Sequence, residues 1–379
     1  MKTLNDKYIR SSRPFFPRED INQIQLDIAE ALESGRLRNS KNLSTFETMV
    51  SNYLSVKNAI AVDSDSSALE TALGYYNVKN REVIVSTNSF ISIPNSVSYA
   101  GGKVVFADNR ETSLSMDPNS LREKISKNTC CVIVTHIAGF PNPDFKEIMD
   151  ICKEHHLILI EDATHAIGAT IDGHKVGSFG DAAIFAFTPT KVVTTGEGGM
   201  LVTNSNELAE YARLFGYYGS GRGKTNFVNL GRHMMMPEIS AILGISQMKR
   251  IEEFIHRRNQ IANIYTQSFY GKTDLGIIKC PIGNRSSYYK FPLTLGHKIN
   301  KQEFVQGLDK EFRVETGNVF YPPSHLQTVY RKQQTKSLYL PVSEQVLSRT
   351  ITLPMHVGLT NEDVNYVSES VIKLVDQAL

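Results

Sequence analysis

Short apolar runs alternate with amphipathic stretches through the first two-thirds of the chain. Residues 81–86, 103–107, 131–135, 157–160, 182–187 and 200–203 are nearly continuous in Val, Ile, Leu, Ala and Phe. Runs of that length and branching read as strands buried on both faces. Between them, 118–127, 144–155 and 206–215 carry apolar residues at helical spacing. The alternation predicts an α/β fold: a large domain whose mostly parallel, seven-stranded-type sheet is flanked by helices. A longer helical pattern starts near Pro237 and runs through Ile255 toward Ser268, with Ile242, Leu243, Ile245, Met248 and Ile251 in phase. Beyond it lie a strand pair around 288–293, a helix at 301–309 and a closing helix at 361–379 that Thr360 caps. These predict a smaller C-terminal α/β domain. The 379 residues exceed the usual size of one compact core. The boundary is placed near residue 250, giving a large domain of 1–250 and a small one of 251–379.

Composition narrows the function classes. Hydrophobic residues make up 41% and charged residues 21%, and the net charge is +2. Nothing in that balance calls for nucleic acid or a membrane surface as partner. The longest apolar runs, such as 156–160, are too short to span a bilayer. The first residues hold no apolar signal core, so a cytoplasmic location is the default expectation. Cys130, Cys131, Cys152 and Cys280 have no ligand-like spacing and are expected to be ordinary buried thiols, with no metal site.

In an open α/β sheet, ligands gather beyond the carboxyl ends of the strands. The polar residues there are Ser86 to Phe90, Thr135 with His136, Glu161 and Asp162 with His165, and Thr188 to Lys191. An acid thus ends one strand, and a lysine follows the next, ahead of a Gly-rich stretch. Chemistry on an aldehyde cofactor needs both groups: an amine to bond the cofactor and carry protons, and an acid to pair with its ring nitrogen. Taken singly, such an Asp is more often a helix cap and such a Lys more often solvated.

The full string carries more. Leu159-Ile-Glu-Asp-Ala-Thr-His-Ala-Ile-Gly-Ala169 is followed by Gly177-Ser-Phe-Gly-Asp181, and then by Lys191 ahead of Gly196-Glu-Gly-Gly199. It resembles the signature of the DegT/DnrJ/EryC1/StrS sugar aminotransferases, a branch of the fold-type I superfamily that includes aspartate aminotransferase. Segments 33–40, 56–62, 88–95, 100–108, 323–330 and 353–360 extend the resemblance over almost the whole chain.

The resemblance implies pyridoxal 5'-phosphate (PLP) as cofactor, bonded to Lys191, which also shuttles protons. It implies that Asp162 pairs with the ring nitrogen, His165 hydrogen-bonds the ring hydroxyl and Phe90 stacks on the ring. Ser66 and Ser67, opening the helix that follows, would hold the phosphate. The implied partners are L-glutamate as amino donor and a nucleotide-linked keto sugar as acceptor. The preferred acceptor is a 4-keto-6-deoxyhexose giving a dTDP-4-amino-4,6-dideoxyglucose-type product, as in lipopolysaccharide O-antigen synthesis. A homodimer with shared active sites is implied, in which Arg232 and His233 serve the neighbouring subunit. Arg232, Lys224 and Tyr321 are candidates for the nucleotide, with a solvated surface as the equal alternative.

Three segments depart from the family pattern. Ser64, Asp65 and Ser66 stand where it reads Ser-Gly-Thr, and Asp65 is expected to turn away and cap the helix. Ala186 replaces a serine. His233 and Met235 replace the Asn and Arg of an Asn-Tyr-Arg-Met string, with His233 as substitute phosphate donor. The competing readings are a family dehydratase, which has His in place of the lysine, a cyclitol or other keto-compound aminotransferase, and a non-catalytic regulator.

Overall fold

The computed structural model describes residues 7–220, 226–332 and 338–378. Two helices, α1 (Arg18–Ser34) and α2 (Lys41–Leu54), lead into β1 (Asn58–Val62). Then α3 (Asp65–Tyr75), β2 (Glu82–Ser86), α4 (Ser92–Tyr99), β3 (Lys103–Ala107), α5 (Pro118–Lys124), β4 (Thr129–Thr135), α6 (Phe145–Glu154) and β5 (Ile158–Asp162) alternate. After a short hairpin, β6 (Thr170–Ile171) and β7 (His174–Lys175), come β8 (Ala182–Ala186), β9 (Gly199–Thr203) and α7 (Asn206–Phe215).

Seven strands form one sheet in the order β1-β9-β8-β5-β4-β2-β3. β9 pairs antiparallel with both β8 and β1, and the other pairings are parallel. Alternate side chains feed two cores, as the period of two requires. Along β4, Val132 and Val134 join Phe46, Val50 and Ile148 on one face. Cys131 and Ile133 join Leu69, Leu73 and Val97 on the other. Both faces being covered explains why the strands read as unbroken apolar runs.

The helical pattern expected from 237 to 268 is two helices, α8 (Glu238–Lys249) and α9 (Ile251–Ser268). Arg250 leaves the helical region (φ −109°, ψ 4°), and its guanidinium is held by Glu19, Asp20 and Glu253. Apolar periodicity continues through the break, so the sequence pattern does not register it. α9 supplies Ile251, Phe254 and Ile255 to the first core, then Ile261, Ala262 and Tyr265 to a third. That third core lies under an antiparallel sheet of β10 (Leu275–Ile277), β11 (Phe291–Leu295) and β12 (Thr350–Leu353). Helices α10 (Lys301–Phe312), α11 (Thr328–Arg331), α12 (Pro341–Arg349) and α13 (Asn361–Ala378) complete the chain. The strand expected around 288–293 begins only at Phe291, because Tyr288 has a left-handed φ of 44°. Thr360 caps the last helix as expected, its hydroxyl accepting from the Asp363 amide at 3.1 Å.

All four cysteines are free. Cys131 and Cys152 are buried, whereas Cys130 and Cys280 are only partly so. Among the described residues no helix is long and apolar enough to cross a membrane, and no group of three His, Cys, Asp or Glu could hold a metal.

Candidate active site

The carboxyl ends of β5 and β8, the N-terminus of α3 and the segment before β11 meet around a cavity of about 370 Å³. Lys191, Asp65, Phe90, His165, Tyr289 and Lys290 are among its walls. Lys191 sits in the turn after β8. Thr195 N–H and Thr194 Oγ1 both donate to the Phe187 carbonyl, folding the 188–198 loop back on its strand. Gly199 lets that loop rejoin the sheet against the turn before α3. A Cβ there would lie 2.3 Å from the Ser64 carbonyl carbon.

Asp162 ends β5 and is 1% exposed. Its carboxylate accepts from Thr135 Oγ1 at 2.8 Å and from the Thr164 amide at 3.2 Å. The preceding Glu161 points to the opposite face. It accepts from the amides of Gly177, Phe179 and Gly180, each at 2.8 Å, and meets His136 Nε2 at 3.2 Å. The acidic pair thus divides: Glu161 ties down the 177–180 loop, and Asp162 takes no part in that tie.

His165 is buried, and burial, with the ammonium groups of Lys191 and Lys290, pushes its pKa well below the usual histidine range. Its Nδ1 accepts from the Ala138 amide at 3.2 Å, so the neutral ring carries its proton on Nε2. The ring packs 4.3 Å from Tyr289 and 5.2 Å from Phe320, centroid to centroid. Phe90 is 53% exposed on the cavity wall, 5.5 Å from Phe320.

The turn before α3 differs from expectation. Ser64, not Asp65, is the cap: its hydroxyl accepts from the Ser67 amide at 3.1 Å. Ser64 holds the extended backbone a cap requires, which places Asp65 one residue inside the helix, with its carboxylate on the cavity wall. Asp65 Oδ2 accepts from Ser92 Oγ at 3.2 Å. Burial pushes the Asp65 carboxyl above its ordinary pKa, and Lys191 opposes that shift. Ser66 and Ser67 follow, half-buried in the first turn. Ala186 presents only a methyl to the same cavity.

Other candidates lie elsewhere. His233 is exposed and packs on Tyr218, away from the cavity of its own chain. Arg232 pairs with Glu70 at 2.5 Å. Tyr321 is 42% exposed, under the Lys301 ammonium at 4.7 Å. Lys224 lies outside the described residues. Met235 lines a separate groove with Val62, Arg213 and Met234.

Tyr289, Lys290 and Phe320 stand in the strings 287–291 and 317–321, whose resemblance favours the dTDP-4-amino-4,6-dideoxyglucose-type product, but the sequence assigns none of them a role of its own. Tyr289 shares a 3.1 Å hydrogen bond with Thr190. The buried Arg258 fixes its backbone by donating to the Tyr288 and Met355 carbonyls at 3.0 Å. A charged residue directly ahead of an apolar strand, Lys290 before Phe291, was the available signal.

A seven-stranded, mostly parallel α/β sheet with Lys, Asp and His gathered beyond its strand ends defines the class as an aminotransferase-type fold. The chain belongs to the DegT/DnrJ/EryC1/StrS aminotransferase family, whose model matches residues 18–372; these are sugar aminotransferases. It is 30% identical over 387 residues to the spore coat polysaccharide biosynthesis protein SpsC of Bacillus subtilis, covering 98% of each chain. It is 31% identical over 340 residues to GDP-perosamine synthase of Caulobacter vibrioides, covering 88% of this chain and 89% of that one. Among solved structures, Helicobacter pylori PseC, an aminotransferase involved in the biosynthesis of pseudoaminic acid, superposes with a TM-score of 0.92. It shares 27% identity, over 98% of this chain and 100% of that one.

Proposed function

We propose that this enzyme uses PLP held on Lys191 to move an amino group from L-glutamate to a 4-keto-6-deoxyhexose carried on dTDP, UDP or GDP. The observation that carries the reading is the meeting of Lys191 and His165 on the wall of one cavity, with the buried Asp162 carboxylate close enough behind it to act on Asp65 of that wall. They come from two separate segments, the end of β5 and the turn after β8, which supports a site built for one ligand. The residues fit the cofactor. A lysine amine reaches the cavity, and a buried carboxylate stands at a strand end. A neutral imidazole is left with one N–H, and the amides of an 11-residue helix open toward an anion. The volume suits a small ligand.

When bound, PLP supplies an aldehyde and an electron-withdrawing ring. Asp162, oriented by Thr135 and Thr164, would pair with the ring nitrogen. His165 would offer its Nε2–H to the ring hydroxyl, and Phe90 would pack on the ring. Ser66 and Ser67 would hold the phosphate with amides and hydroxyls. The Lys191 amine would hold the cofactor and, when free, would carry a proton from the donor carbon and to the sugar carbon. The Tyr289 ring lies 4.8 Å from the Lys191 ammonium and restricts where it swings. The reading includes a homodimer in which His233 and Arg232 serve the neighbouring site. It also includes a cofactor-holding domain of 1–250 and a small domain of 251–379, supported by the helix break at Arg250. The GDP-perosamine synthase relative supports a nucleotide-linked acceptor.

Borohydride reduction of the PLP-loaded protein tests this. Peptide mapping is expected to find the cofactor mass on Lys191, and an unmodified Lys191 overturns the reading. Mass spectrometry of the pyridoxamine-loaded protein incubated with nucleotide keto sugars then identifies the acceptor. Amination of inosose-type ketones in their place would make it a cyclitol enzyme.

A further inference from the structure

The cavity holds a second lysine. Lys290 sits directly before β11, and its ammonium donates to the Asn318 carbonyl at 2.7 Å. It stands 5.6 Å from the centre of the Tyr289 ring and 6.0 Å from that of Phe320. Lys191 approaches the same Tyr289 ring at 4.8 Å, so two cations flank one phenol. Among the described residues no carboxylate pairs with Lys290. Its hydrogen-bond partner, the Asn318 carbonyl, is neutral, and its surroundings are aromatic. Burial, and then the charge of Lys191, pull the Lys290 pKa down. A half-buried ammonium beside another ammonium, with no acid to compensate it, is costly to fold. The Tyr289 phenol offsets part of that cost. Burial pushes the phenol up, but Lys191 and Lys290 together draw its pKa below the ordinary value.

The rest of the wall sharpens the point. Lys191 and Lys290 are its two cationic side chains, and no arginine lines it among the described residues. An amino-acid donor nevertheless brings an α-carboxylate wherever it brings its amine. We propose that Lys290 is the residue that binds the α-carboxylate of the amino donor. The inference rests on the aminotransferase reading above.

Geometry favours that anion over the diphosphate of a nucleotide sugar. The α-carboxylate is bonded to the very carbon whose amine must reach the Lys191 position. A cation that binds it must therefore stand beside Lys191, where Lys290 stands. A diphosphate is separated from a reacting C4 by the width of the sugar ring, so its cation belongs farther out. Lys290 keeps one hydrogen on Asn318 and has two left to offer. Phe320 and Tyr289 stand beside them, and the partial burial strengthens a charge-assisted bond. In the second half of the reaction the 2-oxo acid leaves, and Lys290 is freed as the sugar enters.

The test uses the PLP-loaded enzyme and two variants, Lys290→Met and Lys290→Arg. The binding of L-glutamate is read from the change in cofactor absorbance during the first half-reaction alone. Glutarate, which has no amine, is titrated as a non-reacting dicarboxylate. UDP, GDP and dTDP are titrated as diphosphate probes. Lys290→Met is expected to raise the half-saturating glutamate concentration about 10–100-fold, and Lys290→Arg to stay within a few-fold of wild type. Glutarate binding should weaken in the Met variant, nucleotide binding should not, and borohydride should still label Lys191 in both variants. Unchanged glutamate saturation in Lys290→Met, with Lys191 still labelled, overturns the proposal and leaves the aminotransferase reading intact. Weakening confined to the nucleotides assigns Lys290 to the diphosphate and overturns it as well. A protein whose Lys191 is never labelled removes the reading on which the proposal stands.

Discussion

Asp65 gives the sharpest quantitative expectation, because its carboxylate occupies the cavity wall where the family pattern has glycine. The cofactor phosphate would seat at the Ser66 and Ser67 amides, the next residues along. Two unit charges about 5 Å apart in an effective dielectric of about 20 repel by about 3 kcal/mol. The helix N-terminus returns only about 0.3–1 kcal/mol to an anion. Repulsion therefore dominates, and it is relieved most simply by a proton on Asp65. Burial already raises the Asp65 carboxyl in the free protein, and an arriving phosphate raises it further. Binding then takes up a proton. Affinity is full below the free-protein pKa of Asp65 and falls as pH rises through it, by at most about tenfold per pH unit. Asp65→Asn keeps the shape and can still accept from Ser92, but removes the charge. It is expected to tighten PLP binding about a hundredfold on the alkaline side and to lose this pH slope. The assay is titration of cofactor-free protein with PLP, and in parallel with pyridoxal, at several pH values. Pyridoxal lacks the phosphate, so its affinity should not respond to the substitution. The slope from the second ionisation of the phosphate itself is common to both proteins and cancels in the comparison. Equal PLP affinity and equal slope in the two proteins would refute the argument, since the carboxylate then does not face the phosphate.

Three other outcomes are expected. Glu161→Gln strips a buried carboxylate from three amides and His136, and should cost about 2–4 kcal/mol in denaturant unfolding. Gly199→Ala drives a methyl into the Ser64 carbonyl, a backbone atom that cannot yield cheaply. It should cost about 1–3 kcal/mol and weaken PLP retention, whereas Gly271→Ala, at an open turn, should leave retention unchanged. His356 is buried, its Nδ1 has no partner, and burial together with the charge of Arg258 holds its pKa down to about 4. The fold therefore favours its neutral form. The stability this gives is present above the unfolded pKa of about 6.5 and is lost as pH falls toward about 4. His356→Gln should flatten stability measured by thermal melts across that window, and an unchanged acid-side slope would contradict the assignment.

What the sequence exposed and what it hid follow from the range of the interactions. Strands such as β4 and β5 are legible because both faces are buried, which makes the apolar run continuous and local. Asp162, His165 and Lys191 are legible because each follows such a run, so one rule about strand ends finds all three. The helix break at Arg250 is hidden because its cause is tertiary, an ion-pair cluster with Glu19 and Asp20 more than two hundred residues earlier. The direction of Asp65 is hidden for a subtler reason. Ser64 and Asp65 are both good caps, and only the backbone path fixed by Gly199 against Ser64 decides between them. Lys290 is hidden because the strand that presents it reaches the site through the carbonyl contacts of Arg258 and the ring contact of Tyr289 with His165, and no periodicity records those. The residues beyond the strand ends were therefore readable one by one. Asp65 and Lys290 became readable as cavity residues only once distant segments were brought together, and it is on such wall positions that differences between members of the family should concentrate.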